Sequence, residues 1–146
     1  MRDERDRIEV FKHMNEKNIE ASMSFFKTVF LMNGGAAIAV LGFVASVAKE
    51  NQAFSGMISG VAQALMLFAW GVVASASGIA IIYITGYFAL KALHAEEKWS
   101  HPVWTWLNCL GHVAGIIVAI AALWLFASGA LSVKIAILAS LPGGSS

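Results

Sequence analysis

Three long apolar runs, separated by short polar segments, organise this chain. The first, residues 28–48, contains no charged residue. At 1.5 Å per residue it is long enough to cross a hydrocarbon core of about 30 Å. Lys49 and Glu50 end it, and "ENQAFSG" follows as a polar turn. The second run, Phe54 to Leu90, is also free of charge. As one helix it would exceed about 50 Å. Three readings of that excess stand. Residues 54–63 lie in the interface, or "SASG" (Ser75 to Gly78) breaks the run in two, or the helix projects from the bilayer and packs in an oligomer. The break is disfavoured, because no flanking charge marks polar surroundings for a turn. The third run starts after Ser100, a favourable N-cap, and Pro102, which suits a first helical turn. It continues from Val103 to about Leu131, and Lys134 interrupts the tail beyond it.

The pattern before the first run is different. Ile8, Phe11, Met14 and Ile19 recur at roughly helical spacing among six basic and six acidic residues. Opposite charges stand four apart at Arg2 and Asp6, Asp3 and Arg7, Arg5 and Glu9, and Lys12 and Glu16. Such pairs support a helix by a few tenths of a kcal/mol each. Residues 1–27 therefore predict an amphipathic helix, lying on a membrane or against a partner helix. Phe25, Phe26 and Lys27 would anchor its end at the interface. A cleavable signal peptide is not expected, because this stretch is charged rather than apolar.

The predicted fold is an all-α integral membrane bundle with three long transmembrane helices plus this N-terminal amphipathic helix. The bundle occupies residues 28–141, with spans at about 28–48, 64–90 and 104–128, and residues 142–146 form a flexible tail. Composition agrees. The 146 residues are 58% hydrophobic and 13% charged, against about half and about a quarter in soluble domains. Mean hydropathy is +0.71. The net charge of +1 and the scattered Lys and Arg give no case for nucleic acid. Cys109 is the single cysteine, so no internal disulfide forms.

Aromatic residues supply a depth gauge. Trp106 and Trp124 stand 18 apart, and Trp70 and Tyr87 stand 17 apart. Each spacing is about 26 Å of helix, near one hydrocarbon thickness. Tyr87 and Trp106 then mark one membrane face, and Trp70 and Trp124 the other. Eight Lys and Arg residues fall on the side of the N terminus and second loop, against two on the other. An excess of basic residues marks the cytoplasmic side. The expected location is the cell inner membrane, multi-pass, with a cytoplasmic N terminus.

Small residues form stripes on each span. Gly35, Ala39, Gly42 and Ser46 step by four, three and four on the first. Gly71, Ser75, Gly78 and Thr85 share a stripe on the second, extended by Gly60 and Ala64. Asn108, His112, Gly115, Ala119 and Ala122 do so on the third. Lipid offers helices no hydrophobic drive to associate, and small residues replace it with close contact. Gly56 with Gly60 and Gly111 with Gly115 also form GxxxG spacings.

Four polar candidates lie within the apolar runs: Asn33, Tyr83, Asn108 and His112. The aromatic gauge puts Asn108 and His112 in the cytoplasmic half of the third span. Asn33 counts about 9 Å past Lys27 on the same side, and Tyr83 is near that depth, so the four are expected to form one layer. Such residues act as hydrogen-bonding glue, worth about 0.6 kcal/mol on average. They also mark pore-lining, quinone-facing or haem-ligating positions. Haem ligation by two histidines would need a second one at matched depth, and His94 and His101 lie in the loop. His94, Glu97 and His101 share a helical face, but their spacing is not a metal pattern and reads as a solvated connector. No metal or cofactor is expected. "GVVASASG" lacks the lysine of a phosphate-binding loop. Asp3 and Asp6 are the only aspartates, so no Ser-His-Asp set exists. Catalysis is not expected.

The segment "LMNGGAAIAVLGF" after a charged amphipathic helix resembles small uncharacterised bacterial inner-membrane proteins with an NGGA-type element opening the first span. The resemblance covers about the first 50 residues. It implies a bacterial origin and a multi-span topology, and it supplies no activity. The function expected first is a self-associating membrane protein that forms a pore or alters permeability, as holin-like or defence-effector proteins do. The alternatives are an accessory or scaffold subunit of a larger membrane complex, docking through the amphipathic helix and "HAEEKWSH", and a quinone- or haem-associated anchor using His112. The expected partners are the lipid bilayer and either further copies of the chain or other membrane subunits.

Overall fold

The computed structural model describes residues 2–47, 55–94 and 101–140. Every described residue is helical, in α1 (Arg2–Val47), α2 (Ser55–His94) and α3 (His101–Ser140). Each helix contains a segment long and apolar enough to cross a membrane: Lys12–Ser46, Met57–Ala89 and Val103–Ser140.

The N-terminal segment is not a separate amphipathic helix. It continues without interruption into the first apolar run, giving a helix of 46 residues. No proline interrupts residues 2–47, and one contact face runs through the expected boundary, from Ile19 by way of Phe26 and Val29 to Asn33. Phe26 is correspondingly buried in the bundle rather than anchoring an interface, while Phe25 and Lys27 beside it are exposed. Met14, expected on the apolar face, is exposed as well. The ion pair in this region joins Lys17 to Glu20 at 3.2 Å. Lys12 and Glu16 are not paired, and the side chains of the three earlier predicted pairs lie outside the described residues, save for the exposed Glu9.

α2 is also unbroken, and its 40 residues make about 60 Å of helix. Ser75 and Ser77 cause no turn because each hydroxyl donates back to a carbonyl one turn earlier, Gly71 at 2.8 Å and Val73 at 2.9 Å. Their polarity is satisfied within the helix. Among the described residues of α2, those buried are Met57, Val61, Ala64, Phe68, Gly71, Ser75, Gly78 and Thr85. They follow steps of four and three, the heptad spacing that keeps one seam facing a partner.

α2 is the central helix. α1 and α3 both pack along it antiparallel and scarcely touch each other. The registers are fixed by side chains seated against glycines. Gly60 faces Ala136, Gly129 faces the Phe68 ring, and Gly111 faces Thr85. On the other flank Gly78 receives the Phe26 ring, Gly71 the Asn33 amide, and Gly86 lies against Ile19. Close approach at Gly71 and Gly78 depends on the missing Cβ, which would overlap the seated side chain. At one end of the bundle Met57, Val61 and Ala136 form a buried cluster, covered by Val40, Val44 and Leu65.

Outside this seam the surface carries many large apolar side chains. Leu31, Ile38, Trp70, Trp106, Trp124 and Ile120 are all exposed. The aromatic gauge survives in three dimensions. The Phe68–Gly129 and Thr85–Gly111 contacts set Trp70 level with Trp124 and Tyr87 level with Trp106. All four rings face outward, and the Lys91 ammonium lies 5.5 Å from the centre of the Tyr87 ring.

Candidate functional site

Because α1 and α3 diverge on either side of α2, a cleft opens between them. It forms a cavity of about 480 Å³ walled by all three helices. Its two ends differ in chemistry. Asn15 and Asn18 from α1, Thr85 from α2, and Asn108 and His112 from α3 line the end nearer the α2–α3 connection. Phe25 and Phe26, Ile81, Ile116 and Ala119 line the end nearer the middle of the bundle. The two phenylalanine rings meet edge to face at 5.5 Å between centroids. Among the described residues, none that lines the cleft is a Lys, Arg, Asp or Glu.

The polar end has a definite hydrogen-bond state. The Nδ1–H of His112 donates to the Asn108 carbonyl at 2.8 Å, since a carbonyl only accepts. Nε2 is therefore the ring nitrogen left for another partner. The side-chain Oδ1 of Asn108 is buried and has no hydrogen-bond partner. Thr85 is buried against Gly111, whose missing Cβ makes room for the hydroxyl.

The expected polar layer is only half formed. Asn108 and His112 are neighbours, but Tyr83 points outward, 75% exposed. Asn33 is completely buried and sits at Gly71, two heptads along α2 from Thr85. That is about 21 Å from the other pair. The discrepancy arises from register. Depth counted from Lys27 assumed that the membrane begins there, whereas the Phe26–Gly78 contact sets Lys27 beside the middle of α2. Asn33 Nδ2 donates to the Val29 carbonyl at 3.0 Å, and its Oδ1 faces Gly71 without a hydrogen-bond donor. It has no access to the cavity.

The small stripes divide in the same way. Gly71 and Gly78 are buried at the α1–α2 contact, Ser75 is buried on α2, and Ala122 is buried on α3. Gly115 and Ala119 line the cavity. On α1 the prediction inverts. Gly35, Ala39, Gly42 and Ser46 are exposed, and neither Gly34, Gly35 nor Gly42 has any neighbour within 4 Å of the place a Cβ would take. They lie roughly half a turn from Asn33, Val40 and Val44, which face α2. Packing here sets large side chains into glycine gaps, so a second small stripe opposite Gly71 and Gly78 would have left those gaps empty. The Gly111–Gly115 spacing is used within the chain, against Thr85 and Ile81.

Asn15, Asn18 and Ser22 were not singled out from the sequence, though their steps of three and four trace a polar stripe. The surrounding charges obscured it. Cys109 is exposed on α3. His94, Glu97 and His101 have no described side chain, and among the described residues no three His, Cys, Asp or Glu converge. No family model, curated protein or solved structure matches the chain.

Proposed function

We propose that this chain is a self-associating polytopic membrane protein whose assemblies alter bilayer permeability. One relationship supports the reading most directly. On α1, Glu9, Lys12, Glu16, Lys17, Glu20 and Lys27 are all exposed. The Ile19–Gly86 and Phe26–Gly78 contacts place several of these charges level with bare apolar side chains of α2 and α3. Glu20 shares its level with Tyr83, Ile84 and Leu110, and Lys17 with Tyr87 and Trp106.

At one height, a single chain therefore offers charge on one flank and large apolar groups on the other. Lipid suits the second and penalises the first, and water does the reverse. Copies arranged with α1 inward and α2–α3 outward satisfy both, and the charged flanks then surround a polar interior. The uncovered glycine stripe of α1 offers a surface on which such copies can approach closely. The same arrangement accounts for apolar helices much longer than a hydrocarbon core is thick. The preferred setting is a bacterial inner membrane with the N terminus cytoplasmic, following the distribution of Lys and Arg.

The test is dye release from sealed liposomes holding purified protein, read beside oligomeric state. Release that rises with protein density and falls in Lys17→Leu/Glu20→Leu chains is the expected result. Tight vesicles at high protein density would remove the pore reading. A stable one-to-one complex with a different membrane protein, and no self-oligomer, would favour the accessory-subunit alternative.

A further inference from the structure

We propose that the cleft between α1 and α3 is a binding site for a neutral amphiphile whose head group carries hydroxyl donors. The inference is independent of self-association. The cavity, about 480 Å³, falls within the range of small-molecule sites, which are concave, mostly apolar and equipped with a few placed polar groups. Its long axis carries a gradient, from Asn15, Asn18, Thr85, Asn108 and His112 at one end to Phe25, Phe26, Ile81 and Ile116 at the other. That gradient matches a molecule with a polar head and an apolar body, inserted along the helices.

The head's chemistry follows from the hydrogen-bond state of the wall. His112 spends its Nδ1 hydrogen on the Asn108 carbonyl, so an imidazole with that single hydrogen presents Nε2 as an acceptor at the polar end of the cleft. An acceptor without a partner calls for a donor on the ligand. Among the described residues the wall has no Lys, Arg, Asp or Glu to pair with a charged head, which favours a neutral one. Two sources share this chemistry: an aromatic hydroquinone with an alkyl tail, and a lipid alcohol such as a diacylglycerol.

The experiment uses the full chain in lipid nanodiscs and measures binding of a decyl-substituted benzoquinol, kept reduced in anaerobic buffer. The matching benzoquinone has the same body but no donors. Dioctanoylglycerol serves as competitor. The quinol is expected to bind in a one-to-one ratio and about ten-fold more tightly than the quinone. His112→Phe should shrink that preference while leaving quinone binding in place. Gly115→Leu fills the cavity, where only Ile81 stands within 4 Å of the new Cβ, and should abolish binding of both forms. Far-ultraviolet circular dichroism and thermal midpoint establish that each variant is folded. Displacement by dioctanoylglycerol assigns the site to lipid alcohols, and failure to displace assigns it to the aromatic diol. Equal affinity for quinol and quinone, no binding of any of the three probes, or unchanged binding in folded Gly115→Leu would overturn the proposal.

Discussion

The side-chain amide of Asn33 occupies the space beside Gly71 that a Cβ would otherwise take. Both residues are buried, and Asn33 is held by its Nδ2 bond to the Val29 carbonyl. The contact sets the register of α1 on α2. A side chain at position 71 has nowhere to go, because the amide cannot swing into solvent. Gly71→Leu should destabilise the bundle by about 1–3 kcal/mol or more, the usual cost of overpacking a filled core. Denaturant titration in mild detergent measures it. A stability unchanged from the parent would show that α1 does not pack there.

Asn33→Leu gives a different outcome. The substitution keeps much of the volume and removes Oδ1, a buried acceptor without a donor. Replacing such a group with an apolar one is close to neutral or stabilising. The expected change in stability lies within about 1 kcal/mol of the parent. A large loss of stability would mean that the amide makes a contact within the α1–α2 seam that leucine does not replace.

Glycines on the outer face of α1 should respond in the opposite sense from Gly71. Gly35→Ala and Gly42→Ala add a Cβ into open space. Each removes a flexible residue from a helix interior, a gain of up to about 1 kcal/mol. Single-chain stability should hold or rise in both. The larger Gly35→Leu/Gly42→Leu pair should still fold, and its self-association, followed by analytical ultracentrifugation in detergent, should weaken by about ten-fold or more, roughly 1.4 kcal/mol. An unaltered oligomer would place the contact between copies on another face.

Phe26 and Gly78 provide a test by complementary substitution. The Phe26 ring fills the gap at Gly78 and is buried. Phe26→Ala should cost about 3–5 kcal/mol through lost contact and a residual cavity. Adding Gly78→Val to that variant puts atoms back into the hole, although the same change alone would collide with the ring. A double-mutant cycle should therefore show a favourable coupling of about 1 kcal/mol or more. Additive effects would separate the two residues in space.

The aromatic levels are measurable with single-tryptophan chains and brominated lipids. Trp70 and Trp124 should quench with matching depth profiles, and Trp106 should report the opposite interface, because the Phe68–Gly129 contact brings the first two level. Unequal depths for Trp70 and Trp124 would contradict the α2–α3 register.

Sequence alone determined the all-helical character of the chain and three apolar segments of spanning length. The contact face of α2 was legible for the same reason. Gly71, Ser75 and Gly78 are small residues in heptad steps. Tertiary structure alone decided the contact face of α1, the separation of Asn33 from His112, and the cleft. In a chain whose outer surface is as apolar as its interior, hydrophobic periodicity does not distinguish inside from outside. Only the fit of particular large side chains into particular gaps does so. Such fits are pairwise: Phe26 has a place because Gly78 is across from it, and Gly35 stays bare because nothing is. Their register also fixed which polar residues meet. A displacement of two heptads along α2 was enough to leave Asn33 locked in a seam while Asn108 and His112 line the cavity.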